Sequence, residues 1–244
     1  FKSCKLSKKN LKAFLELHIE QGPILETAKV PIGIVDTVVG ALRGDIFFEG
    51  QTAHSGGQPM LYRRDAAMAA AAFMVEIEAA VRRAPERHRM TLTFGMMSAQ
   101  PGWYSIVPGG AKISFDLRSK SDAASRAMLG RIKKTLLRIE KKRGVKGRVK
   151  LSVKYAACPA SMGIRRALKR AAGETEHSSL TLSSGGIHDA CRIAALCPIG
   201  MVFVPSVKGL SHTPEEFTKF SDIVAGAEVM ASAILGLADR RVRA

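Results

Sequence analysis

Leu15, Leu17 and Ile19 alternate with Glu16, His18 and Glu20. This period of two predicts a strand within residues 11–21, with one apolar face and one face carrying ligating groups. Gly22-Pro23 ends it, residues 24–29 read as a short helix, and residues 32–39 form a second strand that stops at Gly40. The middle of the chain reads β-α-β-β-α-β: a strand at 41–50, an Ala-rich helix at 63–83, and strands at 90–97 and 111–118 around a Gly/Pro-rich turn. A helix from a Ser121 or Asp122 cap to Gly144 and a strand at 148–155 complete the series. That order is the split βαβ, ferredoxin-like arrangement. After Pro159 the pattern becomes a helix at 162–172, a turn-rich Ser183-Ser184-Gly185-Gly186, a helix at 189–196, an apolar strand at 200–204 and a closing helix at 221–237. Strands alternating with helices indicate an α/β layer. The expected architecture is one α/β domain made from residues 1–40 and 158–244, interrupted by an α+β insert at 41–157. No internal repeat is visible.

Composition adds boundaries to this picture. At 244 residues, 46% hydrophobic and 24% charged, the chain is long and apolar enough for folded cores. No uninterrupted apolar run approaches the roughly 18 residues of a membrane helix, so the reading excludes a spanning segment and a membrane partner. The N-terminus, Phe-Lys-Ser-Cys-Lys, has neither Met nor a signal-peptide core, which reads as a chain cut from something longer. Four scattered cysteines (Cys4, Cys158, Cys191, Cys197) form no CxxC pair, as expected of reduced thiols in a cytoplasmic protein.

Lys and Arg number 38 against 21 acidic residues, a net charge of +17 that attracts anions, carboxylate substrates and nucleic acids among them. The densest basic stretch, residues 131–154, coincides with the amphipathic helix in which Met128, Ile132, Leu136 and Ile139 fall at helical spacing. A solvated helix face accounts for it. A basic ferredoxin-like RNA binder has Phe94 and Phe115 on its strands but no K/R-G-F-x-F run, and ranks last among the readings.

Several segments carry candidate chemistry. His18 lies on the polar face of the first strand. His212 follows a buried strand, where α/β proteins place their sites. His54 sits in a loop containing Gly56 and Gly57, and Arg118 ends a strand with a planar fork suited to a carboxylate. Taken together they are specific. Glu16-Leu17-His18-Ile19-Glu20-Gln21-Gly22-Pro23 resembles the ELHIEQGP signature of the hydantoinase/carbamoylase branch of the M20 metallopeptidase-like family. His54-Ser55-Gly56-Gly57-Gln58-Pro59-Met60 with Arg63-Arg64-Asp65-Ala66 resembles its HAGxxPM…RxDA segment. Ile106-Val107-Pro108-Gly109 with Asp116-Leu117-Arg118-Ser119 resembles IPG…DxRS, and Ser184-Gly185-Gly186-Ile187-His188-Asp189-Ala190 resembles SGAGHDA. Met201 to Ser206 and Ser211-His212-Thr213-Pro214-Glu215-Glu216 resemble MxFVPS…SHxPxE.

The resemblance implies a two-metal amidohydrolase of N-carbamoyl amino acids or allantoate-like compounds, using zinc, manganese, cobalt or nickel. In fold it implies an α/β metallohydrolase, here a partial catalytic domain, with an inserted ferredoxin-like lid and dimerisation domain. His18 and His212 would each ligate one of two metals. His54 would stabilise the oxyanion, often across a homodimer interface formed by the insert. Arg118 and Ser105 would meet the carboxylate of a small-molecule substrate, and Gln21, Gly185 and Gly186 would line its pocket. Family members carry a further His, a bridging Asp and a Glu-Glu pair upstream, and no HxD or Glu-Glu stands ahead of His18 here. Ser105 replaces a typical Asn, Ile187 a Gly, and Gly57-Gln58 small hydroxylated or similar residues. The expected chain is therefore part of such an enzyme with low activity alone; the alternative is an inactive remnant or dimerisation partner.

Overall fold

Alternate side chains of the first strand pack as its pattern requires. In the computed structural model, which describes residue 8 and residues 11–238, strand β1 is Phe14–Ile19 and is followed by the short helix α1, Ile24–Ala28, and strand β2, Ile32–Val38. Glu20 starts α1: its buried carboxylate accepts the free N–H groups of Ile24 (2.9 Å) and Leu25 (2.7 Å), the donors that a helix N-terminus leaves unpaired.

The chain then enters a second compact unit, residues 40–157. Its elements are β3 (Gly40–Glu49), β4 (Ala53–His54), α2 (Ala66–Arg82), β5 (Thr91–Thr93), β6 (Met97–Gln100), β7 (Ile106–Val107), β8 (Gly110–Ser119), α3 (Asp122–Arg143) and β9 (Lys146–Tyr155). Asp65 caps α2 through Met68 N–H, Ser121 caps α3 through Ala124 N–H, and Gly144 ends α3 in the left-handed conformation. β9, β3 and β8 lie side by side, antiparallel, with β5 and β6 both on the far edge of β8. Met128, Ile132, Leu136 and Ile139 of α3 are all buried with Phe73 and Ile77 of α2 against Ile46, Phe48, Ile113 and Phe115 of the sheet. The strand expected at 90–97 is two: the chain leaves the ladder at 94–96, where the Ser114 hydroxyl accepts Met96 N–H.

Returning to the first unit (residues 1–39 and 158–244), the chain forms β10 (Cys158–Pro159), α4 (Met162–Glu174), β11 (Ser179–Ser184), α5 (Ala190–Ile193), β12 (Ile199–Val204) and α6 (Phe220–Ala238). β1 runs parallel to β12, β12 pairs antiparallel with β2, and β2 pairs parallel with β11. Two apolar clusters cover the two faces. Ile164, Leu168 and Ala171 of α4 and Ala225, Val229 and Ala233 of α6 pack on Ile32, Ile34 and Val202, with Leu15 and Leu17 beside them. On the other face Leu25, Val35, Leu182, Met201 and Phe203 gather with Ala190 of α5.

Three expectations are corrected. Ser183 and Ser184 close a strand rather than a turn, because each small side chain is buried in the ladder beside β2. The helix expected at 189–196 is only the four residues of α5. The exclusion of any helix long and apolar enough to span a membrane also fails by length and composition, since α6 is 19 residues with a mean hydropathy of 1.5. Interruptions by single polar residues hid it, and its Ala225, Val229 and Ala233 stripe is buried on the sheet.

Candidate active site

Register with β12 sets the chemistry of β1. Glu16 and His18 lie beside Met201 and Phe203 on the face opposite α4 and α6. His18 Nδ1 is 2.8 Å from the carbonyl of Ile19. A carbonyl only accepts, so Nδ1 carries the proton and Nε2 presents its lone pair. The ring stands edge-on to that of His188, centroids 4.6 Å apart, and His188 leans on Phe203 at 5.6 Å. One carboxylate oxygen of Glu16 accepts Ala190 N–H at 2.8 Å, and the other lies 3.4 Å from His188 Nδ1. The second nitrogen of His188, Nε2, is 2.5 Å from Ser184 Oγ, which also accepts Gly186 N–H at 3.1 Å. Burial, reinforced by the charge of His18 and opposed by Asp189, pushes His188 down to about 4. Neutral imidazole is the form that ligates metal. Glu16, His18 and His188 each bring a ligand atom within 4.8 Å of the others. Two imidazoles and a carboxylate suit zinc and its first-row neighbours.

The turn after β1 is tied to the loop after β12. Gln21, at φ 58°, donates its backbone N–H to Ser206 Oγ (3.0 Å) and its Nε2–H to Ser211 Oγ (3.1 Å). The Ser211 hydroxyl donates to Glu216 Oε2 (2.6 Å), which also accepts His212 N–H (3.1 Å). These contacts hold the exposed His212 at φ 60°. They also hold the Glu216 carboxyl below its usual range, the Ser211 hydroxyl first and the His212 amide next, with the charges of His212 and His18 adding. Gly209 permits the docking: at φ 65°, a Cβ there would meet Pro23 N at 2.7 Å. Across the face, a Cβ on Gly186 would meet Gln21 Oε1 at 3.1 Å and His188 Nε2 at 3.3 Å. Gln21, Gly186, His188, His18 and Glu16 thus form one neighbourhood, with Gly185 beside Gly186 in the loop that closes it.

The remaining predicted residues belong to the second unit. His54 pairs across β4 and β7 with Ile106, and Ser55 N–H donates to the Ser105 carbonyl at 2.8 Å, so His54 and Ser105 share a corner. His54 Nδ1 accepts from Gly57 N–H (2.9 Å) and Gly56 N–H (3.2 Å). That fixes the neutral tautomer with its proton on the exposed Nε2, able to donate to a developing oxyanion. Arg118 projects from β8, and its Nε and Nη2 are committed to Asp116 (3.1 and 2.8 Å), which Arg43 Nε also holds at 2.9 Å. Burial would raise Asp116, but hydrogen bonds and charge from Arg118 and Arg43 outweigh it and hold the carboxyl below its ordinary range.

Sequence reasoning placed Glu16 on the ligating face without giving it a role, and it missed that His188 joins Glu16 and His18. Both stand inside quoted motifs, yet nothing local says that residues 16 and 188 meet. The usable signal was the placement of Glu16 on the same strand face as His18.

Peptidase family M20/M25/M40 matches residues 2–236. The chain is 35% identical to the N-carbamoyl-L-amino-acid amidohydrolase of Paenarthrobacter aurescens, over 91% of this chain and 53% of that one. It is 29% identical to the allantoate amidohydrolase of Escherichia coli K12, over 95% of this chain and 56% of that one. Among solved structures, an amidase of the hydantoinase/carbamoylase family from Burkholderia multivorans superposes with a TM-score of 0.88 at 34% identity, covering 93% of this chain and 55% of that one. The chain spans about half the length of the curated relatives it matches.

Proposed function

The chain belongs to peptidase family M20/M25/M40, and from that membership we propose that its protein hydrolyses a linear carbamoyl or ureido C–N bond in a small carboxylate-bearing substrate. N-carbamoyl amino acids and allantoate-like compounds are the substrate class. The observation that carries the reading is the single neighbourhood of Glu16, His18, His188 and Gln21 on the β1 face, with the His212 loop hydrogen-bonded to its edge.

His18, with Nε2 presented, and His212 would hold two divalent ions, zinc foremost. The ions supply an activated water and polarise the scissile carbonyl. Gln21 orients the substrate amide beside Gly185 and Gly186, where the backbone lies close. His54 donates from Nε2 to the tetrahedral oxygen, and Arg118 and Ser105 take the substrate carboxylate. Asp116 keeps the Arg118 fork in one plane. The second unit acts as the ferredoxin-like lid and dimerisation domain, supported by exposed apolar Val75 on α2 and Met96 and Met97 at β6.

The test is ammonia release from N-carbamoyl-L-amino acids and allantoate. The enzyme is this chain joined behind the N-terminal half of the Paenarthrobacter aurescens relative, loaded with zinc or manganese. Turnover is expected in the chimera and little or none in the chain alone. His212→Ala is expected to reduce chimera turnover by at least about a hundredfold, the scale of a lost catalytic group. Full activity in His212→Ala, or no turnover of any carbamoyl or ureido substrate, refutes the reading.

A further inference from the structure

The helical side of the second unit carries a groove of about 740 Å³ between α2 and α3, bordered by the segment from Ala84 to Met90. We propose that this groove binds a small amphipathic anion, a phosphate monoester on an aliphatic body. It is separate from the residues assigned to the substrate carboxylate. Asp116 and Arg118 alternate with Phe115 and Leu117 along β8, and α2 and α3 cover the side of Phe115 and Leu117.

Residue spacing builds the groove. Ala124, Ala127, Arg131, Lys134 and Arg138 recur every three or four residues and form one stripe of α3, and Glu76, Ala80 and Arg83 form the facing stripe of α2. The alanines are too short to fill the gap between the helices, so a cavity of small-ligand size stays open. Gly130 also lines it. A Cβ there would meet nothing within 4 Å, so packing does not require the glycine, which is a poor helix former. Its effect is to keep the wall low. Buried Ala80 and Met128, with half-buried Met90, make an aliphatic floor, and no Phe, Tyr or Trp lines the groove to stack a base. The rim is cationic. Among the described residues Glu76 is the lining's one carboxylate, and it is committed: it pairs with Arg138, and its Oε1 accepts from the Thr135 hydroxyl at 3.2 Å. Arg83, Arg131 and Lys134 have no such partner among the described residues. These three cations over an aliphatic floor complement an anion with an apolar body. A phosphate monoester, with about −1.5 to −2 charge at pH 7 and three acceptor oxygens, matches them better than a carboxylate does.

The probe is monomeric n-octyl phosphate, titrated into the ¹⁵N-labelled full chain and followed by amide chemical shifts and by calorimetry. One molecule per chain is expected, with shifts confined to residues 80–90 and 124–138. Inorganic phosphate and 1-octanol carry the head and the body separately, and each is expected to bind at least about tenfold more weakly. Arg131→Gln and Lys134→Gln are each expected to weaken octyl phosphate by about tenfold. Gly130→Leu, which narrows the groove while favouring helix, is expected to weaken it by at least about as much. Shift mapping on the wild-type chain needs no variant to fold. Absence of saturable binding overturns the proposal. So do shifts elsewhere, equal binding of inorganic phosphate or 1-octanol, or unchanged affinity in both the Arg131 and Lys134 variants. A single-stranded RNA that displaces the probe at lower concentration, with steep loss of affinity in salt, also overturns it and assigns the groove to nucleic acid.

Discussion

Single residues decide the site through their outer contacts. Glu20 shows how a polar residue inside a motif can serve structure. Its two buried N–H···carboxylate bonds start α1, and hydrogen bonds to a charged group are worth about 1.5–3 kcal/mol each. Glu20→Ala is therefore expected to lower unfolding free energy by about 3–6 kcal/mol in urea titration, and a change under about 0.5 kcal/mol would show the carboxylate to be idle. Asp116 gives a pH signature. Its folded carboxyl is held low by Arg118 and Arg43, so its stabilisation is fully present above its unfolded value of about 3.9 and is lost as pH falls below that. Asp116→Asn should flatten the acid limb of the stability curve while changing little of its shape between pH 5 and 8. An unaltered acid limb would remove the triad from the account. At this scale the motifs made His18, His212, Gln21 and Gly186 legible. The partnership of Glu16 with His188 was not, because it depends on α5 folding back over β1, which no local spacing encodes.

Elements were legible where periodicity was strong. The helix faces of α3 and α6 and the alternation of β1 follow from apolar spacing alone, and the Ser121 and Gly144 caps mark the α3 boundaries. β11 was not legible, since Ser183 and Ser184 are poor strand formers that the register beside β2 buries nonetheless. Nor was the break between β5 and β6, which the Ser114–Met96 bond creates across the sheet. β1 pairs with β12 alone among the described residues, whereas β12 pairs on both sides. Hydrogen exchange on the isolated chain should therefore be faster in β1 than in β12. Equal protection of the two strands would mean that the β1 edge is covered.

At the scale of the molecule, the chain divides into two compact units, with chain crossings at Val39–Gly40 and Ala157–Cys158. The second unit has its own core around Phe48, Phe73, Ile77, Ile113 and Ile132. Residues 40–157 expressed alone are expected to unfold in one cooperative transition; a broad, probe-dependent melt would show that its core needs the rest of the chain. The expected homodimer is open to light scattering: paired Val75→Glu and Met97→Glu substitutions should yield a monomer, and an unchanged mass would place any interface elsewhere. The +17 charge has a structural location in part, since Lys141, Lys142 and Arg143 fill the last turn of α3, where cations complement the helix dipole.

Metal binding at the polar face of β1 is measured directly by an anomalous difference map at the zinc edge. In zinc-soaked crystals of the chimera, a peak is predicted at bonding distance from His18 Nε2, roughly 2.0–2.1 Å, on the face shared with Glu16 and His188. A map with zinc elsewhere and none at His18 would contradict it.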